Sequence, residues 1–378
     1  MRIEFTSQQK QRREVFRAFA DEHITPFADL FDQKEATPPE LIKAFAKAGL
    51  LGLVLPREYG GEDVDQISFG LLCEAVARSS ASVLGLLTVH NMASQSILRW
   101  GTERQKQRWL PAMAKGEVVG GLALTEPEAG SDGAGITMLA ERDGDGYVLN
   151  GEKSWITYGL SANLFVVFAR LDDKPTAFLL EDHNPGLIRN PIKGMLGFRA
   201  ANLANLVLED CRLGVDSLLG KAGMGFTAVG NFSLDHGRYS IAWGAVGLAQ
   251  ACLEAARSYT ATRKQFGKPI RDHQLIRRML TDMMTEVKAA RLMCLHAGFL
   301  KQEGDPAATV DTNMAKYYAS RVANRVASDA VQIHGGNGCS EAYPVQRYFR
   351  DAKILEIIEG STQIQQLLIG KYADFQSL

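Results

Sequence analysis

The chain reads as mostly α-helical with a central β domain. An N-terminal helical domain is expected over 1–117, a small β-barrel or sandwich over 118–225, and a C-terminal four-helix bundle over 226–378. Three observations predict this order. Apolar residues recur at helical spacing in the first part, short β-rich runs broken by glycine turns follow, and the helical period then returns and stays. Six or so short strands with no helix between them argue for a compact barrel or sandwich rather than a parallel sheet.

Val15, Phe16, Phe19 and Ile24 begin the first apolar stripe, and Leu41, Phe45, Ala46 and Leu50 supply the next. Phe69, Leu72, Ala75 and Val76 mark a third helix. Trp109, Leu110 and Met113 mark another over 103–115, which Pro111 should kink or shorten. In the middle region GDGYVLNGEKSWI carries two glycine turns around β-rich runs, a hairpin signal. Strands are expected over 164–170, 176–181 and 205–213, with Asp172-Asp173-Lys174-Pro175 turning between the first two. Ile241, Val246, Leu248, Cys252 and Leu253 then open a long helix, and Leu275, Met279, Met283, Val287 and Ala290 form a second. Lys301 to Pro306 reads as a turn, and Ala315, Val322, Val326 and Val331 line a third helix. Long Ala-rich helices joined by short loops read as a bundle.

Composition narrows the function. With 46% hydrophobic and 22% charged residues the 378-residue chain is an ordinary globular protein. A net charge of −1 gives no basic footprint for nucleic acid, and no apolar run is long enough for membrane insertion. The N-terminus is amphipathic and carries acidic residues, unlike a secretory signal. Five scattered cysteines without a CxxC pair suit reduced thiols and a cytoplasmic location. Seven histidines show no HxxxH or HxH spacing, so no metal site is expected.

The segment RDAKILEIIEGSTQIQQ (350–366) is the most informative. Ile354, Leu355, Ile357 and Ile358 recur at helical spacing, so a buried helical face is expected up to Ile358. Gly360 stops it, and Ser361 or Thr362 can cap a second helix through Ile364, Leu367 and Leu368. Glu359 thus falls in an apolar corner between two helix ends. Poor solvation there disfavours its charged form and makes it a stronger base. A solvated glutamate at a helix end is the plain alternative.

Other segments carry chemistry. LALTEPEAGSD (122–132) is a loop with hydroxyls and glycines that admit close backbone approach. In GEKSWITYG (151–159), Trp155 and Thr157 stand two apart, hence on one side of a strand. RKQFGKPI (263–270) places a cation and an aromatic at the close of a helix. QIHGGNG (332–338) is a glycine-rich helix end. Asp235 to Arg238 opens the long helix, with Asp235 as a possible N-cap. His90 and Asn91 read either as core residues or as lining for a ligand. GKAGMGF (220–226) fits neither a dinucleotide fingerprint nor a Walker spacing and reads as a connecting loop.

Together these segments resemble the acyl-CoA dehydrogenase family of flavoenzymes over nearly the whole chain. The resemblance implies FAD as cofactor, the same α, β, α-bundle order, and a set of contacts. Leu122, Leu124, Thr125, Gly130 and Ser131 would edge the flavin, Ser131 also reaching the thioester end of the substrate. Trp155, Ile156 and Thr157 would cover one flavin face and donate toward N5; Tyr158 follows where several relatives carry a smaller polar residue. Arg263, Gln265 and Phe266, with His273 and Gln274 beside them, would reach the FAD pyrophosphate of a second subunit. Gln332, Ile333, Gly335 and Gly336 would meet the adenosine side, and Ser361 and Gln363 complete the cofactor set. Asp235, Arg238 and Gly360 fall on the substrate side.

The reaction so implied is α,β-dehydrogenation of an acyl thioester, with Glu359 removing the α-proton as a hydride leaves for flavin N5. Some branches place the base one residue before the arginine matched by Arg238; here that residue is Gly237, which leaves Glu359. An acyl-CoA substrate, an electron-transfer flavoprotein as acceptor and a homotetramer or homodimer are expected. Oxygen as direct acceptor is a further option. The same chemistry on an acyl-carrier-protein thioester, in polyketide or nonribosomal peptide biosynthesis, is the alternative; Ile358, where many relatives have Tyr, hints at an unusual acyl pocket. A flavin-bound scaffold or regulatory protein with vestigial activity is the third reading.

Overall fold

The computed structural model describes residues 4–373. Helices come first: α1 (Ser7–His23), α2 (Ala28–Lys34), α3 (Pro39–Lys47), α4 (Gln66–Ser79), α5 (Ala81–Trp100) and α6 (Glu103–Ala114). α1 and α6 each start at a capping box, in which Thr6 and Gln9, or Thr102 and Gln105, satisfy each other's backbone N–H groups. Pro111 lies inside α6, which ends three residues later at Ala114. α4 and α5 are buried on nearly every face, as helices apolar all round must be. Val15, by contrast, is exposed on α1.

The strands are β1 (Gly120–Ala123), β2 (Leu139–Asp143), β3 (Gly146–Ile156), β4 (Leu164–Leu171), β5 (Lys174–Glu181), β6 (Leu187–Pro191), β7 (Ala204–Leu213) and β8 (Leu218–Leu219). They form one sheet in the order β6-β7-β3-β2-β4-β5-β8, with β1 added in parallel on β4. Among the described residues no ladder joins β6 to β8, so the sheet is open rather than a closed barrel. Only Asp172 and Asp173 turn the β4–β5 hairpin. Both take left-handed φ (50° and 59°), which matches the strand twist, and Lys174 and Pro175 already belong to β5.

The last part comprises α7 (Asn231–Thr262), a short ribbon of β9 (Lys264–Gln265) and β10 (Lys268–Pro269), α8 (Gln274–Glu303), α9 (Ala308–His334), α10 (Val345–Leu355) and α11 (Thr362–Ala373). α7 is the central member, packing on α8, α9 and α10 and also on α4 and α5. Four expectations are corrected here. A π-helical turn over Gly225–Gly230 leads into α7, so Asp235 lies inside the helix and is no cap. α8 runs through Glu303 and stops at left-handed Gly304, so the turn is shorter than 301–306. Leu275 is exposed, although Met283, Val287 and Ala290 face the core. α10 ends at Leu355, and the turn that follows leaves Ile357 exposed instead of buried. No helix among the described residues is long and apolar enough to cross a membrane.

Candidate active site

The turn after α10 carries Glu359 with φ 55°, followed by Gly360 with φ 91°. Its two backbone carbonyls are gripped from three sides. Arg238 Nε on α7 donates to the Glu359 carbonyl at 3.2 Å, Lys316 Nζ on α9 to the Gly360 carbonyl at 2.7 Å, and Gln365 Nε2 on α11 to both, at 3.1 and 3.3 Å. Arg238 is itself oriented by Asn313 Oδ1 at 3.3 Å. Both cations thus hold the backbone and leave the carboxylate unbound. Glu359 Oε2 is sealed from solvent and has no hydrogen-bond partner. Burial pushes the carboxyl up to about 7, against the opposing charges of Arg238 and Lys316. Ser361 Oγ accepts from Ile364 N and caps α11, as expected, while Gln363 points outward.

A second group forms around β3. The strand is irregular, with register breaks near Gly151 and between Lys153 and Ile156, and Trp155 takes φ 61°. Thr157 lies beyond the strand's end. Strand alternation therefore does not relate Trp155 to Thr157; a left-handed residue and a turn do. Trp155 is 55% exposed, unusual for an indole. The loop of Leu124, Thr125, Gly130 and Ser131 is fastened beside it. Ser154 N donates to the Thr125 carbonyl at 2.8 Å, and fully buried Lys153 Nζ bonds the Leu124 carbonyl at 3.0 Å and Glu126 Oε1 at 2.7 Å. Glu126 also accepts from Thr137 and Met138, which closes the base of the loop. Leu122 sits on β1 just before it. Lys153 is pushed down to about 8 by burial, opposed by Glu126.

Helix α5 joins the two groups. A β-carbon on Gly85 would stand 2.9 Å from Thr157 Cγ2, while Met92 Sδ would lie 2.8 Å from one on Gly237, beneath the Glu359 carboxyl. Gly85 and Met92 are seven residues apart, two turns on one face, hence about 10 Å along the axis. Thr88 Oγ1 meets Ser240 Oγ at 3.0 Å and locks α5 to α7 between them. His90 serves the scaffold: its Nδ1 accepts from Gly120 N at 3.2 Å, and burial pushes it down to about 4, so it is neutral. Asp235 pairs with Lys301 and leaves Oδ1 buried without a partner.

The third group stands apart from Glu359 within the chain. Phe266 does not close a helix; α7 stops at Thr262, and Phe266 sits in the ribbon turn with φ 52°, 93% exposed. His273 meets its ring edge-on at 5.8 Å and contacts the Gln265 carbonyl at 3.2 Å. Gln274 begins α8, and Arg263 has no ion pair among the described residues. The end of α9 lies at the same end of the bundle. Tyr259 on α7 stacks on His334 at 4.2 Å, and its backbone carbonyl accepts from Arg263 N. Gly335 (φ 59°) and Gly336 face open space, and Gln332 is exposed. Ile333 is buried in the core, so only its backbone is available to a ligand.

Family models for the acyl-CoA dehydrogenase N-terminal, middle and C-terminal domains match residues 6–117, 121–211 and 223–373. The chain belongs to the acyl-CoA dehydrogenase family. A probable acyl-CoA dehydrogenase of Bacillus subtilis is 40% identical over 98% of this chain and 99% of its own. Butyryl-CoA dehydrogenase from Megasphaera elsdenii superposes with a TM-score of 0.96 at 36% identity, covering 99% of this chain and 100% of its own. A glutaryl-CoA dehydrogenase from Mycobacterium smegmatis in complex with FADH2 gives 0.94 at 30% identity, covering 99% and 96%.

This acyl-CoA dehydrogenase is accordingly an FAD-dependent oxidoreductase acting on CH–CH groups. Its residues fit that cofactor. The exposed indole of Trp155 offers a flat apolar plate, and among the described residues the hydroxyls of Thr157 and Ser131 have no protein partner. Two surface clefts, of about 430 and 270 Å³, lie elsewhere, along Arg257 and Arg271 and along Trp100 and Lys221. Neither cleft includes Thr157 or Glu359. Sequence reading missed Glu126, Lys153, Gly85, Lys316, Asn313, Gln365 and Tyr259. Of these only Lys153 left a signal, a lysine two residues before Trp155 inside a β-rich run.

Proposed function

We propose that the enzyme removes hydrogen from the α and β carbons of an acyl thioester and that Glu359 is the base for the α-proton. The observation that carries this reading is the half-buried Glu359 carboxyl, its Oε2 sealed from solvent and without a hydrogen-bond partner, pushed up to about 7. A carboxylate of that basicity can accept a proton from carbon near neutral pH once a neighbouring carbonyl is polarised. Among the described residues the Glu359 backbone N–H has no protein acceptor, which leaves it free to donate to a thioester oxygen. Arg238 and Lys316 fix the turn through its carbonyls, so the base is held in place without losing its basicity to a direct ion pair. Bound FAD supplies the hydride acceptor. Trp155, with its exposed indole, Thr157, with its free hydroxyl, and the loop of Leu124 to Ser131 would hold it.

The exposed Arg263, Gln265 and Phe266 with the glycines of 335–336 are read as the cofactor contacts of a second copy, which makes the enzyme a homotetramer or homodimer. An electron-transfer flavoprotein is the proposed acceptor. CoA and acyl carrier protein present the same phosphopantetheine arm, so one site serves either tether.

Anaerobic mixing of the FAD-loaded protein with a panel of acyl-CoA and acyl-carrier-protein thioesters tests this reading. Bleaching of the flavin absorbance by acyl-CoA supports it, bleaching by carrier thioesters alone selects the other tether, and no bleaching by any member refutes it.

A further inference from the structure

We propose that Tyr158 is a positioning residue that holds Thr157, and with it the flavin edge, in one frame with Glu359. This rests on the function proposed above. Tyr158 is fully buried and takes φ 54°, a left-handed conformation that a bulky side chain keeps only when its surroundings impose it. Its hydroxyl donates to Thr37 Oγ1 at 3.0 Å, and Thr37 Oγ1 donates to the Ala200 carbonyl at 2.6 Å. Tyr158 N donates to the Ala201 carbonyl at 2.9 Å. Asn202 clasps Thr37 from both sides, accepting from its N–H and donating to its carbonyl, each at 3.0 Å. Three segments remote in sequence therefore meet at this ring: the α2–α3 connection, the turn after β3, and the β6–β7 loop.

The β6–β7 loop is in turn fastened to α10. Phe198 N donates to buried Asp351 Oδ1 at 2.7 Å, and Arg350 Nη1 donates to the Leu196 carbonyl at 3.0 Å. Gly197 lies so close that a β-carbon there would stand 2.5 Å from the Arg350 carbonyl oxygen. α10 then runs directly into the Glu359 turn. On its other side, the Tyr158 ring rests on Gly85, whose β-carbon would come within 3.4 Å of Cε2. Thr157 and Glu359 are thus linked by two rigid routes, one through Tyr158, the loop and α10, the other along α5. Breaking the phenol bond frees the first route while leaving the ring's volume and the backbone bond to Ala201 in place.

On this reading the Thr157 hydroxyl donates only to the oxidised ring, whose N5 lone pair is taken up by a proton on reduction. Loosening Thr157 therefore favours the reduced form. The test is the two-electron midpoint potential of the bound FAD in Tyr158→Phe and Thr37→Val, with FAD content and melting temperature measured alongside. Each variant should retain FAD and shift the redox equilibrium toward reduction roughly tenfold, about 30 mV for a two-electron couple. The double variant should shift it no further, because both changes cut one chain of bonds, and Thr37→Ser should restore the wild-type value. Unchanged potentials accompanied only by lower melting temperatures would reduce Tyr158 to a packing residue and overturn the proposal. Failure of the functional reading looks different: wild-type protein that takes up no FAD sinks both at once.

Discussion

Gly237 lies directly beneath the carboxyl of Glu359. A β-carbon on residue 237 would stand 2.6 Å from the Glu359 carboxyl carbon and 2.8 Å from Met92 Sδ. Every larger residue at 237 must push the carboxyl or Met92 out of place, so the bare backbone and the proposed base are one structural unit.

Gly237→Ala should accordingly keep the fold and the cofactor but misplace the base. Overpacking of this kind costs about 1–3 kcal/mol. A misplaced base lowers turnover on the order of a hundredfold. Steady-state kcat, set beside the flavin-to-protein absorbance ratio, checks both halves.

The raised Glu359 carboxyl fixes the sign of two pH effects. An ordinary glutamate releases its proton near 4.5, the folded protein's near 7. Between those values the unfolded chain binds fewer protons, so Glu359 makes stability fall as pH rises from 4.5 to 7, with no further loss above. Glu359→Gln removes that slope, and its melting temperature relative to wild type should rise across this window and then level off. Turnover of the wild type runs the other way, increasing with pH through a midpoint near 7 as the base ionises.

Lys153 and Glu126 form a fully buried pair that ties the loop of Leu124 to Ser131 onto β3. Lys153→Met leaves the Glu126 charge buried without its partner, which should cost about 3–5 kcal/mol. FAD retention should fall with it, since the loop and Trp155 are both fastened there. Adding Glu126→Gln removes the stranded charge, so chemical denaturation should show the double variant more stable than Lys153→Met alone.

Local sequence signals went far with the helices and less far with the site. The apolar stripes of α4 and α9 and the Gly360–Ser361 break are short-range features, visible within a few residues. Glu359 was singled out because the apolar run and the helix breaker beside it already describe its corner. What escaped was set by contacts across the chain. Lys153 looks like a surface lysine until the bulges of β3 turn it inward beside Glu126. Gly85 is one small residue among many until Thr157 packs on it. Ile357 fits a helical stripe, yet the helix ends at Leu355 and exposes it, because Arg238, Lys316 and Gln365 hold the next residues in a turn. Asp235 reads as a cap only if the preceding π-helical turn is overlooked.

The central claim, that Glu359 takes the α-proton, is tested most directly by single-turnover reduction of the flavin in Glu359→Gln. With FAD bound and a thioester that bleaches the wild type, the variant should bind the thioester yet reduce its flavin at least about a thousandfold more slowly. Reduction at the wild-type rate would contradict it.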